Sequence, residues 1–391
     1  MEPGHQAVCA IIFRIKTMRI ARIIEYFPQH VGGMERHGLI LSQEQVKLGH
    51  EVNVFIGYGG DNQRSDLENS LMSDLMPLQF LPLYSKMRRI WFNFWAYIKV
   101  KKIHQKNPFD IIHLHGDFIE CFFGGRLSKK LGIPAVITIH AGLNKRLLKP
   151  KNAAYFKNIA KIICVSNEIA IDLEKIGVLK EKIAVISSGV YLKEFNEADR
   201  NIISNLRDKY LKPILISVGV LRISKGYAYL IEAYKKLKQE YISLSLILIG
   251  DGPEKNNLDR ESKNLGDIYF LGHQDHGKIV EYLKAADVFI SSSIDLPQDR
   301  EGTPTSIMEA MAAGLPVVAT RVGGGPYLIG DGINGFLVNP KNPDELAKAI
   351  IKIINNPDLI SKMRAQNLED IKQKDWPIIA KKIDETYKSV L

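Results

Sequence analysis

The chain has 391 residues, 46% hydrophobic and 25% charged, which is enough apolar material for two or three packed domains and excludes a disordered or fibrous chain. Three cysteines, Cys9, Cys121 and Cys164, lack metal-ligand spacing, so neither a disulfide framework nor a zinc site is expected, and the thiols read as reduced, as in a cytoplasmic protein. The formal charge of +10 is unevenly held: residues 1 to 193 carry 27 Lys and Arg against 16 Asp and Glu (+11), the remainder 26 against 27 (−1), so an anionic surface or substrate is expected at the first half.

In chain order, residues 1 to 17 read as a disordered extension, or as sequence ahead of a start at Met18. Their apolar run ending at Phe13 is too short to span a bilayer and lacks a cleavage site. From Met18 apolar runs alternate with segments of helical spacing. The runs of the first half are "MRIARIIEYF", "EVNVFIGY", "FDIIHLHG", "PAVITIH", "AKIICVS" and "KIAVISS", with helical spacing in "ERHGLILSQEQVKLG" and "YFKNIAKI". The second half repeats the scheme with "PILISVG", "SLSLILIG", "IYFLG", "DVFISSS", "PVVAT" and "GFLV". Such βαβ alternation predicts an α/β chain of two doubly wound domains with parallel sheets, divided near residues 189 to 194. Ligands of such sheets bind beyond the carboxyl ends of the strands, so two facing domains would form one cleft.

The segment "DREGTPTSIMEAMAAGLPVVATRVGG", residues 299 to 324, places Glu301 in the loop after a strand and Glu309 eight positions on. Thr303 and Pro304 read as the cap and first residue of a helix running to about Ala313. Glu309 then leans back toward the helix start, and both carboxylates can face one pocket, one holding a ribose diol and the other a sugar ring. The plain alternative is a solvated cap glutamate and a solvated loop glutamate. Neighbouring loops favour the pocket. "VGVLRISKG" offers Arg222 and Lys225 to a diphosphate, "LILIGDGP" ends a strand at Gly250, and "FPQHVGGMERHGLI" sets Gly32 and Gly33 between a strand and a helix. "VITIHAG" puts His140 at a strand end, as His37, His113 and His115 also read; a lone histidine there is more often structural.

Taken together, these motifs resemble the retaining glycosyltransferases of family 4, which have two Rossmann-like domains (the GT-B fold). The resemblance runs from Met18 through "GGMERH", "TIHAG", "CVSN", "VGVLRISKG", "IGDGP", "LKAADVFISSS", "EGTPTSIME", "NGFLV" and the closing "DWPIIAKKIDETYKSVL". It implies a first, acceptor-binding domain over 18–190, a nucleotide-sugar-binding domain over 191–374, and a closing helix over 375–391 that crosses back near Trp376. It also implies roles. Glu301 would bind the donor sugar, Glu309 the ribose, and Arg222 and Lys225 the diphosphate; His140 would line the sugar site, and Gly33 would lie under the phosphates, with Gly250, Gly302 and Thr303 completing the donor site. Two positions depart from the usual pattern. Ser188-Gly189-Val190-Tyr191 stands where the family has Asn-Gly-Val-Asp, and Tyr327 stands in place of a glutamate.

The activity implied is retaining transfer from a nucleoside-diphosphate sugar, with no cofactor. No D-x-D occurs in the sequence, so no metal is expected and cations with helix amino ends must neutralise the diphosphate. Residues 85 to 106, "SKMRRIWFNFWAYIKVKKIHQK", join seven cations to five aromatics. This segment suits an anionic membrane surface or a lipid-linked acceptor, or else a helix whose aromatics pack on the sheet. The expected partners are therefore a nucleotide-sugar donor and a glycan or lipid-linked acceptor, with no nucleic acid. The expected location is cytoplasmic, peripheral on the inner face of the plasma membrane if that helix docks there. Two rivals stay open: a phosphate or sugar-phosphate acceptor on the same fold, and a silent nucleotide-sugar-binding protein.

Overall fold

The computed structural model describes residues 17–26, 33–58, 72–75, 85–143, 147–241, 243–296, 302 and 304–391. Glu301 and Thr303 lie outside them, as does the 1–16 extension. Seven parallel strands make the first sheet: β1 (Arg19–Tyr26), β2 (Glu51–Tyr58), β3 (Met72–Leu75), β4 (Ile111–His115), β5 (Ala135–Ile139), β6 (Lys161–Cys164) and β7 (Ile183–Val185). Six make the second: β8 (Ile214–Val218), β9 (Ser245–Ile249), β10 (Ile268–Phe270), β11 (Val288–Ser291), β12 (Val317–Thr320) and β13 (Gly335–Val338). The fold class is thus the one expected, two doubly wound Rossmann-like units.

The spatial orders are β3-β2-β1-β4-β5-β6-β7 and β10-β9-β8-β11-β12-β13. Each reverses direction once, between β1 and β4 and between β8 and β11, and the loops that leave those strands open a crevice at the carboxyl edge. Helices cover both faces of each sheet, which is why the central strands are mostly apolar rather than alternating; β4, β5 and β9 are buried at every position, the polar His113, His115, Thr138 and Ser245 included. Two local expectations fail. "YFKNIAKI" ends a 3-10 turn, Pro150–Phe156, and then enters β6, where Lys161 pairs with Val136. The edge strand β3 was not foreseen, because "MSDL" is short and half polar; it pairs along β2 from Asn53 to Ile56.

The two units are tied by the chain crossing twice at one place. Val190 donates to the Lys374 carbonyl at 2.9 Å, and Trp376 donates back to the Val190 carbonyl at 3.1 Å. The closing helix, Trp376–Lys388, then leaves the second unit and packs on the first: Trp376, Ile379, Ile383 and Tyr387 join Ile20, Ile24, Val52 and Val54 in one buried cluster. Arg22, fully buried in β1, donates to Ser42, Gln45 and the Tyr387 hydroxyl, so a cation in the core is satisfied partly by this helix.

Ile383→Ala should therefore lower unfolding stability by about 2–5 kcal/mol, since the residue is fully buried in that cluster. A denaturant midpoint equal to wild type would show that the closing helix contributes nothing to holding the first unit.

Candidate functional site

The second unit supplies three loops to the cleft. After β8, Arg222 precedes the 3-10 turn Ile223–Lys225, and Arg222 and Lys225 both line a cavity of about 640 Å³. After β9, Gly250 adopts φ +139°, and a Cβ there would stand 2.0 Å from the Gly219 carbonyl, so the two loops pack too closely for any side chain. After β11 the chain reaches the helix Thr305–Ala312. Pro304 is its extended cap rather than its first residue, with φ −72° and ψ 100°, so the helix begins one residue later than expected. Thr305, Ser306 and Glu309 line the cavity, which places a carboxylate near a helix amino end.

The first unit supplies the opposite wall. Gly33, Met34, Glu35 and Arg36, the first turn of the helix Gly33–Lys47, line the cavity together with His140 and Ala141 beyond β5. A Cβ on Gly33 would meet nothing within 4 Å, so the space above it belongs to the cavity. Gly302 closes the gap between the units: a Cβ there would come within 2.2 Å of the His140 carbonyl. The structure thus brings Gly33, His140, Arg222, Lys225, Gly250, Gly302 and Glu309 around one space, while Glu301 and Thr303 fall outside the described residues.

Two of the four histidines stand at strand ends as expected: His115 is the last residue of β4 and His140 follows β5 directly; His113 instead lies inside β4, and His37 is on the helix Gly33–Lys47. His115 Nδ1 is 2.9 Å from His140 Nε2, and the His37 ring meets the His140 ring edge-on, 4.7 Å between centroids. Burial pushes His140 down to about 3 and holds His37, His113 and His115 well below the ordinary imidazole range, so His140 faces the cavity as a neutral hydrogen-bonding group. The two unusual hinge residues have partners on the same helix: Ser188 Oγ is 2.9 Å from His37 Nδ1, and the Tyr191 hydroxyl donates to Glu44 at 2.8 Å.

Residues that the sequence did not single out also meet here. Arg36 Nη1 reaches across the cleft to His276 and lies 3.7 Å from Glu309 Oε1, and His276 Nε2 stands 2.7 Å from Glu194. The only hint had been that Arg36 follows the glycine pair by three positions.

The helix Ser85–Lys106 is apolar on two sides. Phe92, Ala96 and Val100 enter the core, whereas Met87, Ile90, Trp91, Phe94 and Ile98 form an outward stripe, each 41% to 51% exposed. Arg88 and Arg89, counted in sequence among the surface cations, instead approach Glu25 at 3.5 and 3.4 Å, and Arg89 also pairs with Asp117 and Glu120 at 3.0 and 2.6 Å. These contacts put the helix start at the carboxyl, cleft-side edge of β1. Among the described residues, no helix is long and apolar enough to cross a membrane, and no group of three or more His, Cys, Asp or Glu is disposed to hold a metal ion.

Two family models divide the chain: "Glycosyltransferase Family 4" matches residues 31–194 and "Glycosyl transferases group 1" matches 200–370. An uncharacterized glycosyltransferase of Methanocaldococcus jannaschii is 29% identical over 361 residues, covering 90% of this chain and 92% of its own length. The alpha-monoglucosyldiacylglycerol synthase of Streptococcus pneumoniae is 27% identical over 399 residues, covering 95% of this chain and 85% of its own. Among solved structures, Anabaena Alr3699/HepE in complex with UDP superimposes with a TM-score of 0.79 at 23% identity, over 95% of this chain and all of that one, a likeness that bears on the fold.

The buried histidines make stability depend on pH. A histidine kept neutral in the fold but free to protonate when unfolded gives stability that is present above about pH 6.5 and lost as the pH falls from there toward its folded value. Four histidines act in this sense, each by up to about 1.4 kcal/mol per pH unit. Burial pushes Glu25 up to about 7, and that group acts in the opposite sense over part of the same window. The denaturant midpoint should therefore be lower at pH 5 than at pH 7, and the fall should be smaller in His140→Gln. A midpoint that rises toward pH 5 would contradict these environments.

Proposed function

Because the chain belongs to the family 4 glycosyltransferases of GT-B fold, we propose that it moves a sugar from a nucleoside-diphosphate sugar, bound in the cleft, to an acceptor hydroxyl. The observation that carries this reading is that one cavity is lined by both kinds of group: the Arg222 and Lys225 cations with the amino ends of two helices, and the Glu309 carboxylate. A nucleotide sugar has the complementary pattern. Its ribose diol donates to Glu309, and its diphosphate accepts from Arg222, Lys225 and the amides at Thr305 and Ser306. His140, a neutral imidazole, can share a hydrogen bond with a sugar hydroxyl, and Glu301 on the adjoining loop has the same task by family resemblance.

In the retaining reaction, the bond from the anomeric carbon to the diphosphate oxygen breaks while the acceptor oxygen bonds on the same face. The acceptor proton passes to the departing diphosphate. Arg222 and Lys225 stabilise the negative charge that builds there, so no metal is required in this reading. Closure of the two units excludes water, which would otherwise take the sugar.

For the acceptor, a lipid-linked hydroxyl at an anionic membrane fits best. The exposed stripe on the helix Ser85–Lys106 begins at the cleft rim and is followed on the same face by Lys101 and Lys102, an apolar surface bordered by cations in a half of the chain that carries +11. One relative is named for making a glucosylated diacylglycerol. A lipid acceptor seated under this stripe would present its head group to the cleft.

Thermal shift with UDP, GDP and ADP tests the donor. At least one should stabilise the protein, by about 2.7 kcal/mol at 100 times its dissociation constant. Glu309→Ala should weaken that nucleotide by roughly 10- to 100-fold, with binding unaffected by EDTA. Failure of all three nucleotides, equal affinity in the variant, or a requirement for magnesium or manganese would each remove the corresponding part of the reading. For the membrane, wild type should float with anionic vesicles at low salt, and Trp91→Ser with Phe94→Ser should not. Flotation that survives in this double variant, or is lost entirely in moderate salt, would assign attachment to charge alone.

A further inference from the structure

Among the described residues, Arg36 is the cation of the first unit that lies beside the Glu309 carboxylate of the second, and the donor scheme gives it no task. It stands at the first turn of the helix Gly33–Lys47 and lines the cavity with its side chain 40% exposed. Nη1 lies against His276 Nδ1 and 3.7 Å from Glu309 Oε1. A guanidinium only donates, so His276 Nδ1 must accept and the imidazole proton sits on Nε2. There it donates to Glu194 Oε2 at 2.7 Å. Burial alone would raise the Glu194 carboxyl, but the bond from His276 and the nearby Arg36 charge hold it below the ordinary range, consistent with a carboxylate as the acceptor at the end of this chain. Glu194, just past the hinge, thus fixes His276, His276 fixes Arg36, and Arg36 lies over one oxygen of a Glu309 carboxylate that is only 14% exposed.

We propose that Arg36 is a positioning residue for nucleotide binding: it holds Glu309 Oε1 from across the cleft, leaving the second carboxylate oxygen to accept the ribose diol, and so makes the nucleotide subsite complete only when the two units face each other. This rests on the assignment of Glu309 to the ribose. The charge pair is partly screened, but the bond to His276 restricts the guanidinium to one place, so little side-chain freedom remains to be lost when the nucleotide arrives. An arginine suits this position better than a lysine, because separate N–H groups of one planar head can serve His276 and Glu309 together.

The test is calorimetric titration with whichever of UDP, GDP and ADP stabilises the wild type, on Arg36→Ala, Arg36→Lys, Glu309→Ala and the Arg36→Ala, Glu309→Ala pair. Arg36→Ala should weaken the nucleotide about tenfold and Arg36→Lys by less. In the Glu309→Ala background the further loss should be under about twofold, because residues acting through one another are not additive. Unchanged affinity in Arg36→Ala, or the same tenfold loss with and without Glu309, overturns the proposal. A wild type that binds none of the three nucleotides removes the ribose assignment and this inference with it. Should Arg36→Ala fold poorly, His276→Ala, which removes the acceptor that orients Arg36, must show a loss in the same direction; equal affinity there also overturns it.

Discussion

Everything at the cleft depends on the chain crossing between the two sheets twice at the same spot. The reciprocal bonds between Val190 and the 374–376 segment allow little sliding of one unit past the other, and the closing helix then seals the junction with Trp376, Ile379, Ile383 and Tyr387 on the first sheet. An apolar seam of this size resists separation, while a single double crossing still permits rotation about it. The carboxyl edges of both sheets therefore face each other at close range, with Gly302 packed too tightly against the His140 carbonyl for any side chain.

Within that frame, the charges follow a simple division. Permanent cations and helix amino ends, which suit an anionic group, line the same cavity as the Glu309 carboxylate, which suits hydroxyls. His140 on the cavity wall, with His37 and His115 behind it, stays neutral because burial disfavours the charged form, so it offers a hydrogen bond without adding charge. The helix Gly33–Lys47 links these parts: its first turn lines the cavity, His37 meets Ser188 at the hinge, and Glu44 accepts from Tyr191. The two hinge residues that depart from the family pattern are thus paired with side chains of one helix.

Much of this was legible in the sequence for a physical reason. Parallel strands buried on both faces are apolar along most of their length, so "DVFISSS" or "SLSLILIG" announces both a strand and the loop where chemistry follows. Glu309, Arg222, Lys225 and His140 follow such strands, and all four line the one cavity. Arg36, His276 and Glu194 were not legible, because Arg36 and His276 are 240 positions apart and meet only when two domains close on each other. The edge strand β3 escaped for the opposite reason, since a four-residue half-polar strand carries little pattern. The aromatic content of the helix Ser85–Lys106 was plain, but not its orientation: with apolar residues on both sides there is no single stripe to read, and only packing shows Phe92 turned inward and Trp91 and Phe94 turned out.

The central claim, that the second unit's loops and the first helix turn jointly hold a nucleoside diphosphate, is tested most directly by amide hydrogen exchange with and without the nucleotide that stabilises the protein. The account expects slower exchange in three separate segments, 219–226, 302–309 and 33–36, with the outer helix 85–106 unchanged. Protection confined to a single domain, or centred away from these loops, would contradict it.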